Sequence, residues 1–363
     1  MKKFIVIIIL TFLGIICFSI NSFASSEFDE VWELVDEDTK EYLEELGIDE
    51  LSFEDLYNIT PTRAVEFLFK TVFSTGSVIV DKFVVIMVIL FLSSIISSFT
   101  DDNESTQTII SYISILAIVS VLIAPVIRIF YDAASSIKTT FIFVNGYLPI
   151  MCAVIIASRN PSLAFTYNSY TIFLSSIITT SAEKILLPIL KSILIFNIIS
   201  SISQEDAKEK ILKTVNKLVT IVLSLFSTVF TGLLTTQSVL AVSSDSVVMR
   251  GIKLVSGAVV PIVGGGVGDA VSSVLSSFLI MKNTLGVFVI IVIIITNLPV
   301  MFELLVWYFF IEICSIFSSI MNLNKLSRTL DSIASVISLL NIIVFFVTFI
   351  LVISTGVIIM IGK

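Results

Sequence analysis

Residues 254–283 read LVSGAVVPIVGGGVGDAVSSVLSSFLIMKN, and how this stretch is placed decides how the rest of the chain is organised. It is apolar enough to lie in a bilayer. Yet it carries Pro261, then Gly264, Gly265, Gly266 and Gly268, then Asp269, and it closes on Lys282 and Asn283. Glycine and proline weaken a helix, and backbone groups freed inside lipid must find protein or water. Irregular backbone at membrane depth therefore lines a cavity or packs against other helices. Ser272, Ser273, Ser276 and Ser277 follow at helical spacing and offer a small polar face on which helices approach closely and hydrogen-bond. The stretch reads as a glycine-rich packing interface or as a pore- or substrate-lining segment, and in both readings these residues are the candidate functional segment. Gly264, directly after the break at Pro261-Ile262-Val263, is the glycine expected to tolerate alanine least.

Outward from this stretch the chain is apolar throughout. A hydrophobic fraction of 56%, a charged fraction of 14% and a mean hydropathy of +1.08 exclude an ordinary soluble domain. The net charge of −8 hides an asymmetry. Between Ser25 and Lys70 there are 15 acids and three bases, a balance of −12, which leaves the remainder near +4. An acidic exposed part repels phosphates, so nucleic acid is not expected as its ligand. The chain contains no histidine. That removes Ser–His and Cys–His nucleophile pairs, the commonest proton shuttle and the imidazole metal ligands. Cys17, Cys152 and Cys314 fall in separate apolar segments, where free cysteine behaves as a small hydrophobe.

In chain order, residues 1–24 read as a secretory signal: Lys2 and Lys3, an apolar core from Phe4 to Ile16, and Ser22-Phe23-Ala24 as a small-x-small cleavage site. An uncleaved first anchor is the alternative. Residues 25–75 read as a small acidic helical segment outside the cytoplasm. Phe28, Val31, Trp32 and Val35 share one helix face, Ser52 with Asp55 forms a capping box, and Thr60-Pro61 is an N-cap followed by proline at N1. This segment is too small to bury much core and is expected to lean on the membrane or a partner. Residues 76–363 read as a polytopic membrane domain of about eight to ten hydrophobic segments. Candidates are 78–99, 108–130, 141–157, 164–180, 185–202 and 218–242, the glycine-rich stretch, an apolar run over 285–320 divided near Pro299 into two crossings, and a last span over 334–361.

Residues 203–217 between two of these segments carry Lys208, Lys210, Lys213 and Lys217, which suits the cytoplasmic side. Ala207, Ile211, Val215 and Leu218 form one apolar face there, so the loop lies on the inner leaflet or docks a cytoplasmic partner. Leu323, Leu326, Leu330, Ile333 and Ile337 read as an interfacial helix leading into the last span. Counting the glycine-rich stretch as a span interrupted in its middle puts Lys282, Lys325 and Arg328 inside together, in line with positive-inside counting.

Ionisable residues inside apolar segments are costly and mark pathways or partners. Lys191, Glu303 and Glu312 are the deep ones, and a Lys191–carboxylate pair is one arrangement they allow. Asp81, Lys82 and Arg128 lie near segment ends, where they snorkel. Gly266-Val267-Gly268-Asp269 matches the G-x-G-D of intramembrane aspartyl proteases, with Tyr131-Asp132 as the partner carboxylate. That enzymatic alternative is remote, since a four-residue match inside a glycine run arises easily. No nucleotide-binding glycine motif or Cys/His cluster appears, and neither a cofactor nor a metal is expected.

Met249-Arg250-Gly251-Ile252-Lys253, Val260-Pro261-Ile262-Val263-Gly264, Asp269-Ala270, Lys282-Asn283 and Gly286 resemble the signature of the stage III sporulation protein AE family. The resemblance extends to Leu148-Pro149-Ile150 and Gln237. It implies an all-α polytopic membrane protein of the channel apparatus joining mother cell and engulfed forespore. It also implies a place in the mother-cell membrane around the forespore, the N-terminal segment in the intermembrane space, and a role in forespore development without enzymatic activity. Ring-forming membrane proteins and a cytoplasmic ATPase of the same complex are the partners it implies, together with the lipid bilayer. A scaffold that seats those partners without itself conducting is the alternative from the structural class.

Overall fold

The computed structural model describes residues 27–51, 61–99, 104–157, 161–202 and 264–360, with positions 214, 217, 221, 224 and 228 between them. The described residues form helices and turns without strands, so the expectation of an all-α protein holds. Two short helices, α1 (27–33) and α2 (Glu37–Glu45), precede the long ones. These are α3 (Pro61–Ser98), α4 (Glu104–Ala157), α5 (Pro161–Ser181), α6 (Leu187–Ile202), α7 (Gly264–Ile320) and α8 (Asn324–Met360). A π-helical turn, Ala182–Leu186, joins α5 to α6 without a break.

Local chemistry sets the ends of these helices. Asp36 caps α2 by accepting from the Thr39 N–H at 3.1 Å, and Glu37 and Asp38 complement the positive N-terminal dipole. Gly47, at φ +84°, closes the same helix: its N–H donates to Glu44 O, and that of Ile48 donates to Leu43 O. The pairing is a Schellman motif, which needs a left-handed residue at that position. Asn322 repeats it at the end of α7 with φ 61°, while Leu323 N–H reaches Ser318 O at 2.9 Å. This tight turn folds α8 back along α7, and among the described helices their contact is the most extensive. Pro61 opens α3 as expected of proline at N1. The capping box at Ser52 and Asp55 lies outside the described residues.

Two expected pairs of crossings are single helices. Segments 108–130 and 141–157 are one helix of 54 residues that passes Pro125 and Pro149. The run over 285–320 is part of one helix of 57 residues that passes Pro299. At 1.5 Å per residue these are about 80 Å and 85 Å long, more than twice a ~30 Å hydrocarbon core. Proline is tolerated inside because neighbouring helices pack along both and hold the axis. The helix face read as interfacial is also corrected. Leu323, Leu326, Leu330, Ile333 and Ile337 are all buried, because they line the seam of α8 against its neighbours.

Contacts fix the register of the bundle. Ser93 of α3 meets Ser114 of α4 at 2.6 Å, Phe83 stacks obliquely on Phe310, and Ser315 of α7 reaches Ser327 of α8 at 3.0 Å. These lie in the half that ends at the turn 321–323, called here the turn half. In the other half Tyr147 of α4 bonds Tyr167 of α5 at 2.8 Å and Thr355 of α8 at 3.0 Å. Gly286 of α7 lies against Ile359 and Met151; a Cβ there would sit 2.5 Å from Ile359 Cγ1. The acidic N-terminal segment lies along this second, capped half. Trp32 packs on Phe288 with ring centroids 5.8 Å apart, and Leu34 fills the space beside Gly146. Val31 and Val35 are buried, and Phe28 packs against the same core. The segment leans on the chain's own helices α4 and α7, where the membrane or a partner was expected; its small apolar content requires some larger body.

Candidate functional site

Where the two halves meet, the apolar bundle is interrupted by a polar waist. Asn297 sits two residues before Pro299 and is fully buried. Its Oδ1 accepts from Ser136 Oγ at 2.7 Å, and its Nδ2 donates to Thr140 Oγ1 and to Ile293 O, both at 2.8 Å. Ser136 also donates to Thr296 O at 3.1 Å. Thr296 Oγ1 donates to Val292 O and lies 3.1 Å from Thr39 Oγ1. The chain of bonds thus runs from α4 through α7 to the acidic helix α2. A buried amide with both ends satisfied fixes helix register, because slippage by one turn would leave donors and acceptors unpaired.

Beside this network, α2 roofs a cavity of about 590 Å³. Asp36, Asp38, Glu41 and Glu45 line it from above, and Arg128, Asp132 and Glu303 line it from the bundle. Arg128 Nε lies 3.4 Å from Asp132 Oδ2, one helical turn on. Glu303 is close to both and accepts a hydrogen bond from Trp307. A second cavity of about 720 Å³, between α3, α4 and α7 on the turn side, shares Arg128 and Glu303 as wall residues. Its other walls include Lys82, Ser120, Pro125 and Trp307. Along the roof, Lys70 of α3 bonds Glu45 at 2.5 Å, and this partner raises its pKa. Burial raises the pKa of Tyr42 as well, reinforced by Asp38, Glu41, Glu45 and Asp36.

The sequence-predicted residues fall into three groups. Glu303 is at the waist. Lys191 is near it, but its partners are aromatic: Nζ lies 4.9 Å from the Tyr131 ring centroid and 5.8 Å from that of Phe130. The Lys191–carboxylate pair is therefore replaced by a cation–π contact, which a partly desolvated ammonium also favours. Glu312 lies half-buried lower on α7. The glycine-rich segment forms a second group, far from the waist. Gly264, Gly265, Gly266, Gly268 and Asp269 lie in the first turns of α7, which is unbroken from Gly264 onward. Their side-chain surroundings and Pro261 lie outside the described residues. Lys282 is buried and Asn283 half-buried. Lys282 is separated from Lys325 and Arg328 by most of the α7–α8 hairpin, about 55 Å, so the three cations do not lie together. Of the lysine-bearing loop, Lys217 is exposed on a helix, and Lys208, Lys210 and Lys213 lie outside the described residues.

The protease arrangement does not form. Asp132 shares a cavity with Glu303, and Asp269 lies about 50 Å up the same helix from Glu303. Two carboxylates that share a proton must touch, and these cannot. Sequence reasoning missed Ser136, Thr140, Thr296 and Asn297. The available signal was Asn297-Leu298-Pro299, a lone amide beside a helix-weakening residue in an otherwise apolar run.

A sequence-family model described as Stage III sporulation protein AE (spore_III_AE) matches residues 38–362. Stage III sporulation protein AE of Bacillus subtilis (strain 168) is 23% identical over 189 residues. That alignment covers 51% of this chain and 47% of the relative, so the matched part spans about half of each. No solved structure matches the chain. Among the described residues, four helices are long and apolar enough to cross a membrane: Ile79–Ser98, Thr106–Ala157, Ser276–Ile320 and Asn324–Val357.

Proposed function

The chain belongs to the stage III sporulation protein AE family, and from that premise we propose that it is a non-enzymatic membrane component of the channel apparatus linking mother cell and forespore. It stands in the mother-cell membrane with only its turn half in the bilayer. The capped half rises into the space between the two membranes. The observation that carries this reading is the height of the bundle together with the seat of its acidic cap. Helices of about 80 Å exceed any single bilayer. A segment with 15 acids cannot lie in lipid, so the half it clasps is the half outside. Lys325 and Arg328 at the opposite end suit the cytoplasmic face.

The capped half keeps exposed apolar residues, among them Ile142, Phe165 and Phe173. Exposed apolar patches outside lipid are contact surfaces for protein, here for ring-forming subunits of the complex. A cytoplasmic ATPase would be met from the turn end and the lysine-bearing loop. The scaffold reading also has support. The bundle's own centre is filled by Ala133, Ile137, Val336, Leu340 and Ile343, each fully buried, so one copy holds no axial pore through these residues. Any conduit to which the chain contributes runs between subunits.

Affinity purification from sporulating cells, followed by mass spectrometry, tests the assignment. The wild-type chain is expected to bring down membrane ring proteins and an ATPase of one complex. Charge reversal at Lys208, Lys210 and Lys213 is expected to lose the ATPase while the chain stays in the membrane. Purification of the chain without any membrane or ATPase partner would overturn the reading.

A further inference from the structure

The second cavity, of about 720 Å³ on the turn side of the waist, has a wall chemistry that the channel reading does not use. Three helices build it. From α3 come Ile79, Lys82 and Val85, and from α4 come Val121, Ala124 and Arg128. Glu303 and Trp307 of α7, one turn apart, complete the walls, and Glu303 accepts a hydrogen bond from Trp307. The short side chains of Ser120, Val121 and Ala124 leave the space open between α3 and α7. Asp132, the partner of Arg128, lines the first cavity and not this one.

The walls change character along the bundle axis. α3 and α7 run toward the turn end and α4 runs away from it, and the pairs Ser136–Asn297 and Ser93–Ser114 set their levels. By that register Arg128 and Glu303 stand at the waist, Lys82 lies about one turn lower, and Val85 with Val121 forms the apolar far end. Outside, Val84 and Val88 of α3 and Ile123 and Ile127 of α4 are exposed apolar side chains. From Glu303 to Ile320 α7 rises about 26 Å, close to a ~30 Å hydrocarbon core. With the turn half in lipid, a placement on which this inference rests, the charged end of the cavity comes at headgroup level and the apolar end among acyl chains.

The geometry points to a binding site for one phospholipid with a primary ammonium in its headgroup, of the phosphatidylethanolamine class. Lys82 and Arg128 take the phosphate, Glu303 accepts from the ammonium, and an acyl chain follows the apolar walls toward Val85 and Val121. Two cations and one carboxylate in the same walls match a phosphate joined to an ammonium through charge-assisted hydrogen bonds. An anionic headgroup without an amine leaves Glu303 facing a second negative group, and a quaternary choline ammonium has no N–H to donate to it. Snorkelling to the bulk interface would explain the two cations alone, but not a carboxylate set beside them. A lipid in this seam ties α3 to α4 and α7.

The experiment is native mass spectrometry of the purified full chain in detergent, titrated with ethanolamine, choline and glycerol phospholipids of identical acyl chains. The ethanolamine lipid is expected to bind at about tenfold lower concentration than either of the others. Lys82→Gln with Arg128→Gln is expected to weaken it by about tenfold, and Glu303→Gln to bring it to the level of the choline lipid. Ala124→Trp narrows the cavity without changing charge; it is expected to abolish binding and serves if the charge variants fail to fold. Glycerophosphoethanolamine and inorganic phosphate, which lack acyl chains, are expected not to compete. Equal binding of the three lipids would overturn the site. So would a preference that survives both Glu303→Gln and Ala124→Trp, or competition by either soluble phosphate compound. Binding in detergent does not depend on how the chain sits in a membrane, so this site and that placement fail separately.

Discussion

The two halves of the bundle are built from the same long apolar helices, and the proposed placement gives them different surroundings. In the turn half, α3, α4, α7 and α8 pack through apolar side chains with a few serine bonds, such as Ser93–Ser114, and apolar residues face outward on every helix. The Asn297 network lies where the halves meet, and in the capped half α4 and α8 share with α5 the Tyr147–Tyr167–Thr355 cluster, while an acidic segment docks along α4 and α7. Hydropathy reports what a helix avoids, which is water, and is silent on whether lipid or protein does the covering. Polar bonds join helices in both halves; what marks the capped half is the docked acidic segment, whose Trp32, Leu34 and Thr39 meet Phe288, Gly146 and Thr296.

The largest effect that sharpens this contrast is expected at Asn297. Asn297→Ala removes the bonds to Ser136 and Thr140 and opens a cavity, a loss of about 2–3 kcal/mol. Ser93→Ala in the turn half removes one helix-to-helix bond and should cost nearer 0.6 kcal/mol. Thermal stability in detergent compares them, and equal losses would remove the distinction. Next is Gly286→Ala, whose methyl meets Ile359 and should cost about 1–3 kcal/mol by overpacking. Ile359→Ala in the same chain should restore most of it. Trp32→Ala loses the contact with Phe288, worth about 1–2 kcal/mol. It should release α1 and α2 to protease cleavage while the bundle's own melting is unchanged.

The smallest expected effect is on pH. Lys70, paired with Glu45, and Tyr42, buried among acids, both have pKa values raised by folding. The stability Lys70 contributes is full below its unfolded value near 10.4 and fades as pH rises through the higher folded value. For Tyr42 the folded state disfavours ionisation, so stability falls as pH rises above about 10. Both act in the same direction, and docking of the cap should loosen only in strong alkali. Protease cleavage of the cap, followed against pH, reads this directly; loosening between pH 6 and 9 would contradict it.

The class of fold and the docking face of the acidic segment were legible in the sequence, because period and composition report burial directly. Val31, read on one helix face, is buried; Val35, read on the same face, is also buried but lies in the bend after α1, and Pro61 starts α3 where a proline belongs. The straightness of the helices was not legible. Pro299 and the polar stretch 131–140 resemble loops in a hydropathy profile, yet tertiary partners satisfy the backbone there and the helices continue. For the same reason Lys191 and Glu303 were recognisable as deep ionisable residues, while their partners were not. The amide at Asn297 carries no charge and stands alone in an apolar run, so its role appears only when α4 is laid beside α7.

The central claim is that the turn half alone lies in lipid. Single cysteines at Ile113 and Phe309 in the turn half and at Ile142 and Phe165 in the capped half, all exposed positions, would carry a fluorophore in a chain whose own cysteines are replaced. With the protein in nanodiscs containing lipids that bear quenchers on their acyl chains, the account predicts strong quenching at 113 and 309 and little at 142 and 165. Quenching of equal strength at all four positions would contradict it.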